Sequence, residues 1–256
     1  MSAVVSLLKG DLMRVIFLFL ILAVVAVSVG CKTTDTRKTA TTTAATAEAE
    51  TQEQAVAEIK NRGGKIERNS ISLYAPVVGV YFASNSDPST AATDAVLENL
   101  EVLHQLQRLD VGDGANVTDA GSKHLEGLKQ LRFLSLFNAK VTDAGLKHLE
   151  GLTQLKNLRL DYTNVTDAGL EHLKGLNQLQ FLGLSGTKVT DAGLEHLKGL
   201  NQLQKLNLDF TKVTDAGMAH LKGLKKLEFL SVGGTSVTNQ GIRTLRKSLP
   251  KCNIEL

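Results

Sequence analysis

Tryptophan is absent and aromatic residues make up only 4% of the 256 residues, so no large aromatic core holds this chain together. Three prolines are too few for an extended proline-rich chain. The two cysteines, Cys31 and Cys252, exclude a disulfide scaffold and a four-cysteine zinc site. Neither sign of charge dominates. The 29 basic and 26 acidic residues leave a net charge of +3, which argues against nucleic acid as a partner. Long apolar runs are missing too, with one exception. Val15 to Val29 holds Ser28 as its only polar residue.

That run is short for a spanning helix, which takes about 20 apolar residues, and suits the core of a signal peptide behind Arg14. Met13 offers a second possible start, since Met1 to Leu12 adds an Asp11 that a signal does not need. The run closes on Ser28-Val29-Gly30-Cys31. This resembles a bacterial lipobox, which implies residues 1–31 as a leader and Cys31 as a lipidated mature N-terminus. Ser28 departs from the aliphatic residue usual there. An uncleaved membrane anchor and ordinary secretion stay open beside it. Residues 32–50 then change in character. Thirteen of these nineteen are Thr or Ala, with no large apolar side chain, so the segment reads as a disordered tether.

The remainder repeats itself. Leu131, Leu155, Leu179, Leu203 and Leu227 each open the pattern L-x-x-L-x-[LV] at a constant spacing of 24 residues. The second half of each unit reads VTDAGLKHLEGL from Val141 and VTDAGLEHLKGL from Val165 and Val189. A unit with one extra residue starts at Leu106, and a divergent unit occupies Ala92 to Leu106. The alternation at Leu131, Leu134 and Leu136 predicts a short strand. Thr142 fits a helix N-cap, and Asp143 falls in the first turn, where negative charge is favoured. Leu146 and Leu149 share a helical face, and Gly151 fits the residue after the helix. No unit can bury its own apolar side, but a stack can.

The segments Leu155-Leu158-Leu160-Thr163-Val165 and Leu179-Leu182-Leu184-Thr187-Val189 resemble the leucine-rich repeat family, most of all the bacterial subgroup carrying VTDAGL. The resemblance covers residues 92–245. It implies an α/β solenoid, with parallel strands on a concave face, short helices on a convex face, and a binding role. Where the family usually has Asn, this chain has Thr163, Thr187, Thr211 and Thr235, whose hydroxyls bond the turn more weakly, and Ala139, which cannot.

Residues 51–91 read as an N-terminal cap: a helix over Gln52–Asn61, a stop at Gly63-Gly64, a short strand at Lys65–Glu67 and the divergent unit's strand at Val78–Val80. An insertion follows at Asn85–Thr90. Residues 246–256 read as the C-terminal cap, with Pro250 ending the last helix and Cys252 buried in a closing strand.

Two ladders tempt a metal reading. The histidines 124, 148, 172, 196 and 220 fall on the period, as do the aspartates 119, 143, 167, 191 and 215. Zinc needs nitrogens converging at about 2.0–2.1 Å, and calcium six to eight oxygens. One residue per unit on neighbouring helices supplies neither, so helix packing and helix-start charge are the simpler readings. No cofactor is implied, and no P-loop, H-E-x-x-H or G-x-S-x-G motif points to an enzyme.

The aromatics carry the functional signal. Phe133, Phe181 and Phe229 are third from each unit's first Leu, Phe137 seventh, Tyr162 and Phe210 eighth. The third, fifth and seventh positions point to the concave face and the eighth to its rim. With Arg159, Asp161 and Lys205 between them, these residues form a candidate surface for a protein or peptide, a glycan also being possible. A duplicated two-unit block, or rings that only cover the sheet, would give the same pattern. The expected function is a membrane-tethered binding module of the cell envelope, outside the cytoplasm; the alternative is an envelope spacer without a concave-face ligand.

Overall fold

The structure, a computed structural model, describes residues 36–70, 75–82, 92–113 and 115–256, with side chains from residue 47. Val15–Val29, Cys31 and the Asn85–Thr90 insertion lie outside the described residues. Among those described, no helix is long and apolar enough to cross a membrane. The chain falls into two units, Met1–Glu48 and Ala49–Leu256.

Helix α1 spans Thr36–Asn61. It begins inside the stretch whose composition predicts a tether without structure, so residues 36–50 depart from that expectation. Their alanines favour a helix even where there is no apolar stripe to bury. From Ala55 onward the helix does have a buried side, formed by Ala55, Val56 and Ile59. Val56 and Ile59 join the same core of the second unit as Val77, Val80 and Phe82.

That unit is built on one sheet, in sequence order from β1 to β9. Strand β1 (Lys65–Arg68) pairs antiparallel with β2 (Val77–Tyr81). Then follow β3 (Arg108–Asp110), β4 (Phe133–Ser135), β5 (Asn157–Arg159), β6 (Phe181–Gly183), β7 (Lys205–Asn207), β8 (Phe229–Ser231) and β9 (Asn253–Glu255). From β2 on, every pairing is parallel and in register, so equivalent positions stand side by side. The antiparallel β1 closes one end of the ladder.

Each crossover carries a helix of about one turn: α2 (Asp94–Glu98), α3 (Asp119–Ser122), α4 (Asp143–Lys147), α5 (Asp167–Leu170), α6 (Asp191–Leu194) and α7 (Met218–Leu221). The last, α8 (Asn239–Arg246), is longer. Strands are about 4.8 Å apart and packed helices about 8–10 Å, so long straight helices could not follow the strand spacing. Several of the short helices run on into a 3-10 turn, as α5 does at Glu171–Leu173. Gly151 is therefore not the left-handed stop that its place after Leu149 suggests. The chain leaves α4 at His148, and the positive-φ glycines are elsewhere, at 63, 112, 186 and 234.

The consensus leucines form one continuous core. In the central unit Leu155, Leu158, Leu160, Val165, Leu170, Leu173 and Leu176 are all fully buried. Leu97 of the divergent unit is as buried as Leu182, so that unit is packed as tightly as its neighbours. The hydroxyls of Thr163, Thr187, Thr211 and Thr235 each donate to the carbonyl three residues back, at 2.6 Å.

The aspartate ladder does more than complement helix starts. The carboxylate of Asp167 accepts both the backbone N–H and the hydroxyl of Thr190 in the next unit, each at 2.7 Å. Thr190 in turn accepts the N–H of Ala192, capping α6. Asp94, Asp119, Asp143, Asp191 and Asp215 make the same double bond to the following Thr. A Cβ on the glycine three residues after that Thr would collide with the carboxylate. One junction thus accounts for the Thr, the Asp and the Gly of VTDAG. In the last unit, where no further Thr follows, the position is Asn239.

The last junction should be acid-sensitive. The Thr238 backbone N–H, then its hydroxyl, hold the Asp215 carboxyl below its ordinary 3.8. A depressed carboxylate contributes stability above its unfolded value and loses it as pH falls through the folded one. Asp215→Asn should weaken the C-terminal end near neutrality and flatten its acid unfolding below about pH 4, read by circular dichroism. An unchanged acid limb would contradict this.

Candidate ligand-binding surface

In-register pairing turns each unit position into a row across the sheet. The third-position row runs Arg108, Phe133, Asn157, Phe181, Lys205, Phe229, Asn253. Phe133, Phe181 and Phe229 thus stand two strands apart, roughly 9–10 Å, and each is half-buried. The Arg108 guanidinium lies 4.8 Å from the Phe133 ring centre, so that ring is partly covered. Its Nε donates to the Tyr81 hydroxyl, which donates to Glu67. Burial and then the Glu67 bond push the Tyr81 phenol above its ordinary pKa. Tyr81 sits at the fifth position of the divergent unit, where extending the alignment of units to β2 would have found it.

Two seventh-position residues, Asp161 and Ser185, turn inward. Asp161 is only 3% exposed. One of its oxygens accepts the Ser185 N–H at 3.1 Å, and the other faces Arg159 Nε at 3.5 Å. Gly183 leaves room for it, since a Cβ there would strike the carboxylate. Asp161 is therefore buried beside Arg159, not exposed on the sheet face as its seventh position suggests. The Arg159 guanidinium also lies 5.2 Å from the Phe137 ring, and Phe137 meets Tyr162 edge-on at 5.5 Å. Phe137 and Arg159 line a groove of about 260 Å³ with Phe82, Asp110, Gly112, Asp113 and Ser135.

The eighth position is conformationally special. In five successive units, Asn138, Tyr162, Gly186, Phe210 and Gly234 all have φ between 53° and 67°. Glycine takes this left-handed conformation freely and Asn moderately well, but an aromatic residue does so at a cost. Tyr162 is 48% exposed and Phe210 64%. Each ring lies against the glycine of the next unit. A Cβ on Gly186 would fall 2.6 Å from Tyr162 Cδ1, and one on Gly234 would fall 2.5 Å from Phe210 Cδ1. The alternation of aromatic and glycine is thus a packing requirement as well as a sequence pattern.

The histidines lie among the helices. His124, His148 and His172 bond through Nδ1 to Glu101, Glu126 and Glu150 of the preceding unit. The bond to His148 is the main cause holding the Glu126 carboxyl below its ordinary pKa. Among the described residues no group of three or more His, Cys, Asp or Glu could hold a metal ion.

No family model and no curated protein matches the sequence. Solved structures do. Internalin C2 of Listeria monocytogenes superposes with a TM-score of 0.52 at 20% identity, over 78% of this chain and 91% of that one. A leucine-rich repeat protein of Leptospira interrogans gives 0.50 at 22% identity, over 62% of this chain. The chain spans 45% of the length of that second protein. The fold is a leucine-rich repeat solenoid. In this solenoid the sheet carries the aromatic rows and the short helices carry the histidines. Lys205 is exposed between Phe181 and Phe229.

Proposed function

We propose that the solenoid is a protein-binding module that engages its partner through the sheet face and its aromatic rim, held at a membrane outside the cytoplasm by the N-terminal segment. The supporting observation is the left-handed backbone at Tyr162 and Phe210. Folding is served by the glycines that alternate with them, yet these two sites hold exposed rings at a backbone cost of order 1–3 kcal/mol. Exposed rings on a rigid edge make anchors for a partner. Tyr162→Gly with Phe210→Gly should leave thermal stability equal or higher and abolish capture of the partner from envelope extracts. His172→Ala with His196→Ala should leave capture unchanged. Full capture by the glycine variant would favour a spacer without a ligand on this face.

The tether is tested separately. The mature chain is expected to start at Cys31 and carry lipid there, giving a mass that excludes residues 1–30. An intact N-terminus upstream of Cys31, read by mass spectrometry of the membrane-bound protein, would remove the lipoprotein reading.

A further inference from the structure

Two outward positions, three residues apart, recur on the helix side of every unit. They hold Glu98 and Glu101 in the first unit and oppositely charged pairs in the next four. In the sixth they hold Ala219 and Lys222, and in the last Arg243 and Arg246. Charge therefore passes from two negatives to two positives along the solenoid. The change interrupts a junction contact. Glu101, Glu126 and Glu150 each bond the histidine of the next unit, but the following residue of that row is Lys174. Among the described residues the buried Nδ1 of His196 consequently has no hydrogen-bond partner.

Further cations gather at the same end. Lys225 donates to the Ser248 carbonyl at 3.2 Å, which sets the Lys225-Lys226 pair against the end of α8. From Lys222 to Cys252 there are seven Lys and Arg residues, all exposed, and one carboxylate, Glu228. Among the described residues none of the seven is in an ion pair. Lys174 and Lys198, by contrast, are neutralised by Glu171 and Glu195.

We infer that the C-terminal end of the helix side docks onto an anionic phospholipid surface. The patch has no apolar anchor of the kind a protein interface buries at its centre, since the exposed large apolar residues described are Tyr162, Phe210 and Leu256. A planar anionic surface needs none. Each Lys or Arg close to it contributes about 1 kcal/mol, within a Debye length of about 8 Å at physiological salt. The choice of a bilayer rests on the tether reading, because a membrane-anchored solenoid meets that surface at high effective concentration. Docking by this end leaves the sheet face free for its partner.

The test uses residues 32–256, which omit the apolar run and keep the whole unit Ala49–Leu256, with its own core and both caps. Co-sedimentation is measured with phosphatidylcholine vesicles, with and without phosphatidylglycerol. Binding is expected only with phosphatidylglycerol, and should fall as salt rises. Arg243→Gln with Arg246→Gln and Lys247→Gln should weaken it on the order of a hundredfold, three cations at about 1.4 kcal/mol per tenfold. The same three positions changed from Lys or Arg to the other should retain it, as should Lys174→Gln with Lys198→Gln. An unaltered melting curve shows that the neutral variant is folded. Equal binding to both vesicle types, equal binding by the neutral variant, or tighter binding to soluble poly-glutamate than to vesicles would each overturn the inference. Lipid at Cys31 is read by mass, so a failure of the tether and a failure of docking are told apart.

Discussion

Leu182→Ala should lower stability by about 2–5 kcal/mol, the range for a fully buried leucine cut back in a packed core. Leu182 is the middle residue of β6, between Leu158 and Leu206 on the neighbouring strands, and all three are fully buried. The space left behind is walled by equivalents in both adjoining units, which are themselves fixed by register. Leu97→Ala should cost about as much, because α2 buries Leu97 completely despite its divergent sequence. Repeat arrays need not unfold in one step, so local probes such as amide exchange across β5–β7 and β2–β3 make the comparison. A loss under 1 kcal/mol at Leu182 would contradict a continuous core.

A second large effect is expected at a junction, where it changes sign with background. Asp167→Ala leaves the N–H and hydroxyl of Thr190 without their shared acceptor, and bonds to a charged group are worth about 1.5–3 kcal/mol each. Gly193→Ala should break the same pair of bonds from the other side, since its Cβ would run into that carboxylate and come within 3.2 Å of Asp167 Cα. With Asp167→Ala already present the clash with the carboxylate is gone and only the approach to the Cα of residue 167 remains. Gly193→Ala should then be neutral or slightly stabilising, because the roughly 1 kcal/mol that alanine gains over glycine in a helix offsets that contact. Chemical denaturation of the four proteins gives the cycle. Additive losses would show that the glycine is there for some other reason.

The sequence carried the frame of this fold because its repeat is a physical unit. The constant spacing of Leu155, Leu179 and Leu203 already requires strands in register, and the core follows. Thr190 is legible as an N-cap, since that contact is local. Its bond to Asp167 is not, because the two residues lie in different units and only the stack brings them together. The same holds for Asp161. Its position suggests the ligand face, but the small Gly183 on the next strand lets the carboxylate fold inward toward Ser185 and Arg159. For the rim, residue types showed aromatics at the eighth position. The left-handed backbone beneath them depends on how the turn is closed, which side-chain identity does not encode. The helical start of α1 was missed because composition alone weighs apolar content, while alanine contributes to helix formation without it.

The fit of each ring on the next unit's glycine sets a rule of neighbours for this molecule. Removing residues 179–202 would keep every leucine in phase, yet would bring Tyr162 against Phe210 in place of Gly186. A ring would then meet a Cβ at about the 2.6 Å that Gly186 now avoids. Removing two adjacent units restores the match. The leucine core accepts change in single steps, whereas the rim does not accept two ring-bearing units side by side, so insertion or loss of repeats in this region would keep at least one glycine unit between anchors.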